Sequence, residues 1–476
     1  MSGIAERVHA SQPVRVVREA LGEDADSAWV VGGAVRDAVL GRAIADVDLA
    51  VAGEPEAAAR SVASAAGGPA FPLSEEFGAW RVIAAAGFVC DVSPLQGGSI
   101  EEDLAGRDFS ANAMAVPLDR PELIDPHGGV ADLEFGTLRV LGERSYRDDP
   151  LRPLRLVRFA TELGLTPDAE TERLTREHAP RVPQTSPERI WGELRRLVIA
   201  DRVLDGLELA ERLDVTEAVL PELAALRGVE QSHFHHLDVY GHTLEVLREQ
   251  VRLERELEGV FGELAPALRD VLDEPLADEL TRMQALRFGA LVHDMAKPPT
   301  RRELPDGRVS FIGHDRVGDE MVRALCRRLR TSEKLAAFLG GVTRHHLALG
   351  FLVHQRPLER RAVYRYLRTC EPVEVEVTVL SCADRCATRG RNAEAAIAAH
   401  LALAYELMGP ALTWRREGPP SVPLKGNELA RELGIEPGPE LGALIEQLRE
   451  AVFAGEVQDR DQAVAHAAAL RENPSE

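Results

Sequence analysis

Hydrophobic positions in residues 1–140 come in short runs, AWVVGG, DVDLAV, AWRVIAAAGFVCDVS and TLRVLG, broken by Gly, Pro and Asp and by one alanine-rich helical stretch, EPEAAARSVASAAGG. Short apolar and β-branched runs bounded by turn residues read as strands, so this segment is a mixed α/β head. From about Ser145 the spacing changes. LRPLRLVRFATELGL and ERIWGELRRLVIADRVLDGLELAERLDV place apolar residues three and four apart, the repeat of an amphipathic helix. Strand signals nearly vanish afterwards. A histidine-bearing helical segment runs from Gln231 to His400, and the Pro/Gly-rich EGPPSVPLKG (Glu417–Gly426) reads as a linker or capping turn before a last helical module. The pattern predicts an α+β chain in four parts: a head at 1–143, a helical neck at 144–228, a helical domain at 229–405 and a C-terminal helical module at 406–476.

Length and composition narrow the class. A chain of 476 residues exceeds one typical core, and 45% hydrophobic with 28% charged residues is the make-up of a soluble globular protein. No run of about twenty apolar residues appears, which predicts no membrane span. The start, MSGIAERVHASQPVRVV, lacks an apolar signal core, which points to the cytoplasm. Cys90, Cys326, Cys370, Cys382 and Cys386 fit no zinc spacing and read as reduced, buried thiols. The net charge of −22 argues against a non-specific nucleic-acid binder, whose affinity comes from phosphate neutralisation. A local basic groove for one shaped RNA remains open.

The richest stretch is VVGGAVRDAVLGRAIADVDLAV, Val30 to Val51. The Gly32–Gly33 pair opens a helix carrying Arg36 and Asp37, and glycines there let backbone N–H groups approach phosphate oxygens. Asp46 and Asp48, two apart on a strand, project the same way and can hold a hard cation. Asp91, in GFVCDVSPL, is placed to add a third carboxylate from a neighbouring strand. In EEDLAGRDFSANAMAV, Arg107 can bind phosphate, Asp108 can orient it or a ribose, and Asn112 falls on the same helical face as Asp108. DPHGGVADL reads as a structural loop. In RDDPLRPLRLVRF, Arg152, Arg155 and Arg158 form one stripe that calls for an anion, and Asp149 with Arg152 makes a donor–acceptor pair suited to a base edge. ERIWGEL begins a helix whose Glu–Arg pair braces the one before it.

The ordered succession GGAVRD, DVD, EEDLAGRDFSANAM, DPHGG, DDPLRPLRLVRF and ERIWGEL resembles the class II tRNA nucleotidyltransferases and bacterial poly(A) polymerases over about residues 28–200. The resemblance implies a nucleotidyltransferase fold with a five-stranded head, a neck that selects CTP and ATP, and helical domains that grip tRNA. It implies Mg²⁺ on Asp46 and Asp48. The nucleotide would lie among Gly32, Gly33, Arg36, Asp37, Arg107, Asp108 and Asn112, with Asp149 and Arg152 reading its base and Arg155 and Arg158 completing the site. The implied reaction is template-independent addition of C and A to the tRNA 3′ end. Two motif positions depart from the pattern: Gly106–Arg107 replaces a double arginine, and Asp148–Asp149 replaces Glu–Asp. The stretch from Asp91 to Arg107 is also shorter than in many CCA-adding members, which resembles enzymes that add only CC. A poly(A) polymerase is the other alternative, but the tail VQDRDQAVAHAAALRENPSE lacks a strongly basic end. GNELARELGIEPGPELG resembles the C-terminal segment of bacterial tRNA nucleotidyltransferases. No protein partner is readable.

In the third part, His242 opens an amphipathic helix, His293 and Asp294 end an apolar one, and Asp384 lies in SCADRC. Adjacent His and Asp on a buried helix end need partners, and the four make a divalent transition-metal ligand set. This resembles the HD superfamily of metal-dependent phosphohydrolases, with His314 and His346 completing a second metal position or meeting substrate phosphate. A chain that is only an HD phosphohydrolase with a nucleotide-binding head is the reading from a different class; intact Asp46 and Asp48 argue against it. The triple His233, His235 and His236 receives no role.

Overall fold

A computed structural model of the chain describes residues 2–74, 78–231, 237–388 and 393–472. The histidine triple at 233–236 lies outside the described residues. The chain divides into two compact units, Met1–Val219 and Leu220–Glu476.

In the first unit, β1 (Ala28–Val31), β2 (Asp46–Val51), β3 (Ala70–Ser74), β4 (Ala79–Ile83), β5 (Val89–Pro94) and β6 (Ala115–Pro117) form one sheet in the order β3-β4-β5-β2-β1-β6. Only the β2–β5 pair is parallel. Six strands replace the expected five, because the run after Arg107 is not an amphipathic helix. It makes a short 3₁₀ turn at Ser110–Asn112 and then enters β6 beside β1. In β2 the pleat buries Val47 and Leu49 and leaves Asp46 and Asp48 facing out. The Pro55–Ala66 helix covers β4 and β5. The neck follows as helices Glu143–Asp148, Arg152–Leu163, Ala169–His178, Pro187–Ile199 and Val203–Arg212, with Arg152–Leu163 packed on the last two.

The second unit is helical apart from two short hairpins. Val239–Arg255, Arg282–Val292 and Glu374–Cys386 pack together, and His314–Leu329 lies along Glu333–His345. The expected boundary at 405/406 falls inside an unbroken helix, Ala393–Glu417. That helix is long and apolar enough to cross a membrane by length and composition alone, which the run-length reading did not anticipate. It nevertheless buries Leu403, Ala404, Leu407, Met408, Ala411 and Trp414 and packs on Glu374–Cys386, as a core helix does. The tail folds round Leu429, Leu441, Leu448 and Val457. It meets the Arg360–Cys370 helix through Arg361–Glu456, Arg365–Glu450 and Arg368–Glu446. All five cysteines are buried, and none forms a disulfide.

Candidate active site

β1 leads into Gly32, whose φ of +66° lies in the left-handed region. A Cβ there would stand 2.9 Å from Arg107 Nη1, which would have to shift, and 3.6 Å from Asp48 Oδ2, while the backbone conformation favours glycine. From Gly33, Arg36 Nη2 would be 3.6 Å and Asp48 Oδ2 3.8 Å away. The turn, Asp48, Arg36 and Arg107 therefore converge on one spot. Asp48 sits opposite Asp91 in the β2–β5 register, with Asp46 two residues earlier on the same face. Solvent reaches Asp48 from the cleft, yet protein atoms crowd its carboxylate. That burial, then Asp91 and Asp46, raise its carboxyl above the ordinary range, while Arg107 and Arg36 pull the other way. Carboxylates that resist joint ionisation gain from a cation.

Each arginine is held. Arg36 donates to Asn112 Oδ1 at 2.9 Å and to Asp37. Asn112 donates to Asp108 at 3.0 Å, and Arg155 sits 3.0 Å from the same carboxylate. Burial works against the charged form of Asp108, but Arg155 and Asn112 keep it below the usual carboxylate range. Arg107 pairs with Asp103 at 2.9 Å. Asp91 accepts two bonds of 2.7 Å from Arg81, its neighbour on β4.

Asp149 and Arg152 are each engaged within the protein: Asp149 accepts from Arg189 at 3.2 and 2.7 Å, and Arg152 donates to the carbonyls of Gly106 (2.9 Å) and Arg107 (3.1 Å). Arg158, 2% exposed, pairs with Glu193 and with Glu162 at 2.6 Å, so its charge is met within the protein. The anion that the arginine stripe called for is in large part the protein's own: Asp108, Glu162 and Glu193. The Pro187–Ile199 helix does brace the one before it, through Arg189 and Glu193.

In the second unit, Asp294 is the centre. Its Oδ2 lies 3.1 Å from His293 Nε2 and 3.7 Å from His242 Nε2; its Oδ1 lies 3.4 Å from His314 Nε2 and 3.8 Å from His346 Nε2. His242 Nε2 is also 3.0 Å from Asp384. His293, His314 and His346 each donate Nδ1–H to a backbone carbonyl, of Ala290, Phe311 and Thr343, at 2.7–2.9 Å. That bond fixes the tautomer and leaves the Nε2 lone pair pointing inward, the usual outer support of a metal-binding histidine. Two ligand-ready groups result, His242–His293–Asp294 and Asp294–His314–His346. Burial opposes ionisation of Asp294, but His293 and Lys297 hold its carboxyl well below the usual range. A cleft of about 400 Å³ opens on these residues and on Lys297, Arg385 and His400.

Three protein-family profiles match in sequence order: the poly A polymerase head domain at 28–87 and 76–139, the probable RNA and SrmB-binding site of polymerase A at 164–226, and the HD domain at 239–389. An A-adding tRNA nucleotidyltransferase from Deinococcus radiodurans is 36% identical over 90% of this chain and 92% of its own length. A CC-adding tRNA nucleotidyltransferase from Thermus thermophilus is 34% identical over 92% of each. The chain belongs to the tRNA nucleotidyltransferase family. A CCA-adding enzyme solved with CTP shares the fold of this tRNA nucleotidyltransferase at a TM-score of 0.63, with 20% identity over 99% of this chain and 98% of the other.

Three residues beside these clusters in this tRNA nucleotidyltransferase were given no role from sequence. Arg81 is found only through the β4–β5 register. Phe159 stands with Arg36, Arg155 and Arg158 at 5.3, 5.6 and 3.8 Å from its ring, a post for three cations. Lys297, 2.7 Å from Asp294, was readable as the basic residue one turn past it.

Proposed function

We propose that this enzyme extends the tRNA 3′ end with C and A from CTP and ATP, without a nucleic-acid template. The convergence of the Gly32–Gly33 turn, Arg36 and Arg107 on Asp48 carries the reading. Asp46 and Asp48, with Asp91 behind them, would hold Mg²⁺, which when bound neutralises triphosphate charge and activates the attacking hydroxyl. The Gly33 N–H, Arg36 and Arg107 bind the triphosphate, beside Gly32, whose N–H donates to the Met114 carbonyl at 3.2 Å. Asp149 and Arg152, once turned from their present partners, face the base, and Arg155 keeps Asp108 and Asn112 in place behind Arg36. The tRNA 3′-oxygen forms a bond to the α-phosphorus as the α–β bond breaks and pyrophosphate leaves. Positioning and fixed charge supply the acceleration. We place the head and neck in the first unit, the HD helices and tail in the second, and the enzyme in the cytoplasm, where its substrates and free thiols belong.

The second site takes a divalent transition metal on His242, His293, Asp294 and Asp384, with His314 and His346 at a second position. The inward Nε2 atoms, His293 Nε2 among them without a hydrogen-bond partner, fit such an ion. When bound it supplies an activated water for phosphoester hydrolysis.

A second reading, addition of CC only, is favoured by one observation. β5 ends at Pro94 and the next helix begins at Ile100, and the connection is stapled by Gln96 N–H to Asp103 (3.1 Å) and Gly98 N–H to Glu102 (2.6 Å). Transcripts of tRNA ending before C, after one C and after CC, each given labelled CTP or ATP with Mg²⁺, decide. Addition through A supports the first reading, arrest at CC the second, and long A tracts on any RNA overturn both.

A further inference from the structure

Away from both sites, three side chains where the Glu143–Asp148 helix meets the end of Ala169–His178 turn their ligand atoms on one another. We propose that Glu143, Glu177 and His178 form a third metal site, for a divalent transition-metal ion, with zinc the best match to one imidazole and two carboxylates. The candidate ligand atoms all lie within 4.8 Å of one another. His178 is 6% exposed, and neither ring nitrogen has a hydrogen-bond partner among the described residues. Its Nε2 lies 3.8 Å from the Glu143 carboxylate. Tyr146 stacks on the ring at 5.7 Å, but its hydroxyl is engaged with Thr175, so it satisfies neither nitrogen. A buried imidazole with both nitrogens unpaired is costly. A cation between Nε2 and the two carboxylates removes the Nε2 share of that cost.

Both carboxylates are accessible. Glu143 pairs with Arg147 and Glu177 with Arg173, but these are solvent-exposed contacts, worth at most about 1 kcal/mol, and they give way to a metal–oxygen bond. Solvent on the Glu177 side supplies water for the remaining position. The ion clasps the first residue of one helix to the last turn of another. Asp149 caps the far end of the first helix, so loading the clasp stiffens the backbone leading to it.

Full-length protein, dialysed against excess Mg²⁺ and limiting Zn²⁺, is compared with H178Q and E177Q by elemental analysis and chelator competition. HD ligands are intact in all three, so differences isolate this cluster. Wild type should retain one more equivalent of zinc than H178Q, and E177Q should bind that equivalent about tenfold or more weakly. The Co²⁺ difference spectrum of wild type minus H178Q should show visible d–d bands. Equal zinc content and superimposable Co²⁺ spectra overturn the site. If H178Q loses its melting transition, E177Q decides alone, since Glu177 is exposed and its loss spares the fold.

Discussion

Glu193→Ala tests whether the neck arginines are set by internal carboxylates. Arg158 is 2% exposed, and its guanidinium is shared between Glu193 and Glu162, the latter at 2.6 Å. Glu193 also lies 3.8 Å from Arg155 Nε. Stripping one partner from a fully buried ion pair costs about 3–5 kcal/mol. Two features lower that here: Glu162 still holds one end of Arg158, and the Glu193 side chain is 15% exposed, so water refills part of the gap. The expected loss is about 2–3 kcal/mol, or roughly a thirty- to 150-fold rise in the open population. Hydrogen exchange read on peptides covering 152–163 and 187–199 reports it locally, without requiring the whole chain to unfold in one step. Adding Arg158→Met should recover most of the loss, because it removes the stranded charge while Glu162 keeps Arg196 at 2.9 Å. A single-mutant loss below about 0.5 kcal/mol, the level of an exposed ion pair, would refute the reasoning.

Asp48→Asn should abolish CTP incorporation while leaving the melting temperature equal or higher, since burial and like charges already strain that carboxylate; retained incorporation or clear destabilisation contradicts this. Added Mn²⁺ should raise the melting temperature of wild type but not of Asp294→Asn, with incorporation unchanged; a shift of equal size in the variant would remove Asp294 from the metal site. His400, buried 2.9 Å from Ser381 Oγ, has its imidazole lowered to about 4 by burial. The unfolded chain takes up that proton near pH 6.5 and the folded one only near 4, so stability falls as pH drops between those values, by up to ~3 kcal/mol. His400→Gln should flatten that part of the urea-midpoint profile, and an unchanged slope would show that another group titrates there.

Local pattern made much of the two sites readable. Asp46 and Asp48 announce their shared face by strand alternation, and the glycine pair announces a turn that Gly32 makes at positive φ. Adjacent His293 and Asp294 are hard to place without a cation. What stayed hidden depends on pairing between distant elements. Arg81 reaches Asp91 because β4 lies antiparallel to β5 in one particular register. Arg158 looks like a ligand residue on a helical wheel; only the approach of the Pro187–Ile199 helix turns its charge inward. FSANAMAV carries a helical spacing, yet an edge position beside β1 made a strand the better home for its last two residues, Ala115 and Val116. The Ala393–Glu417 helix shows the same limit, since no local signal at 405/406 told a boundary from a continuation.

That helix also couples distances. From His400, against Ser381 in the HD cleft, to Trp414, packed on Tyr364 and Phe453 at the tail, it is one rod of about 21 Å at 1.5 Å per residue. Glu374–Cys386, which carries Ser381 and Asp384, lies along it. A displacement of the tail against Trp414 therefore reaches the wall of that cleft through continuous helix. A variant that loosens the tail is then expected to raise hydrogen exchange on the helices that wall the cleft, far from the altered residue.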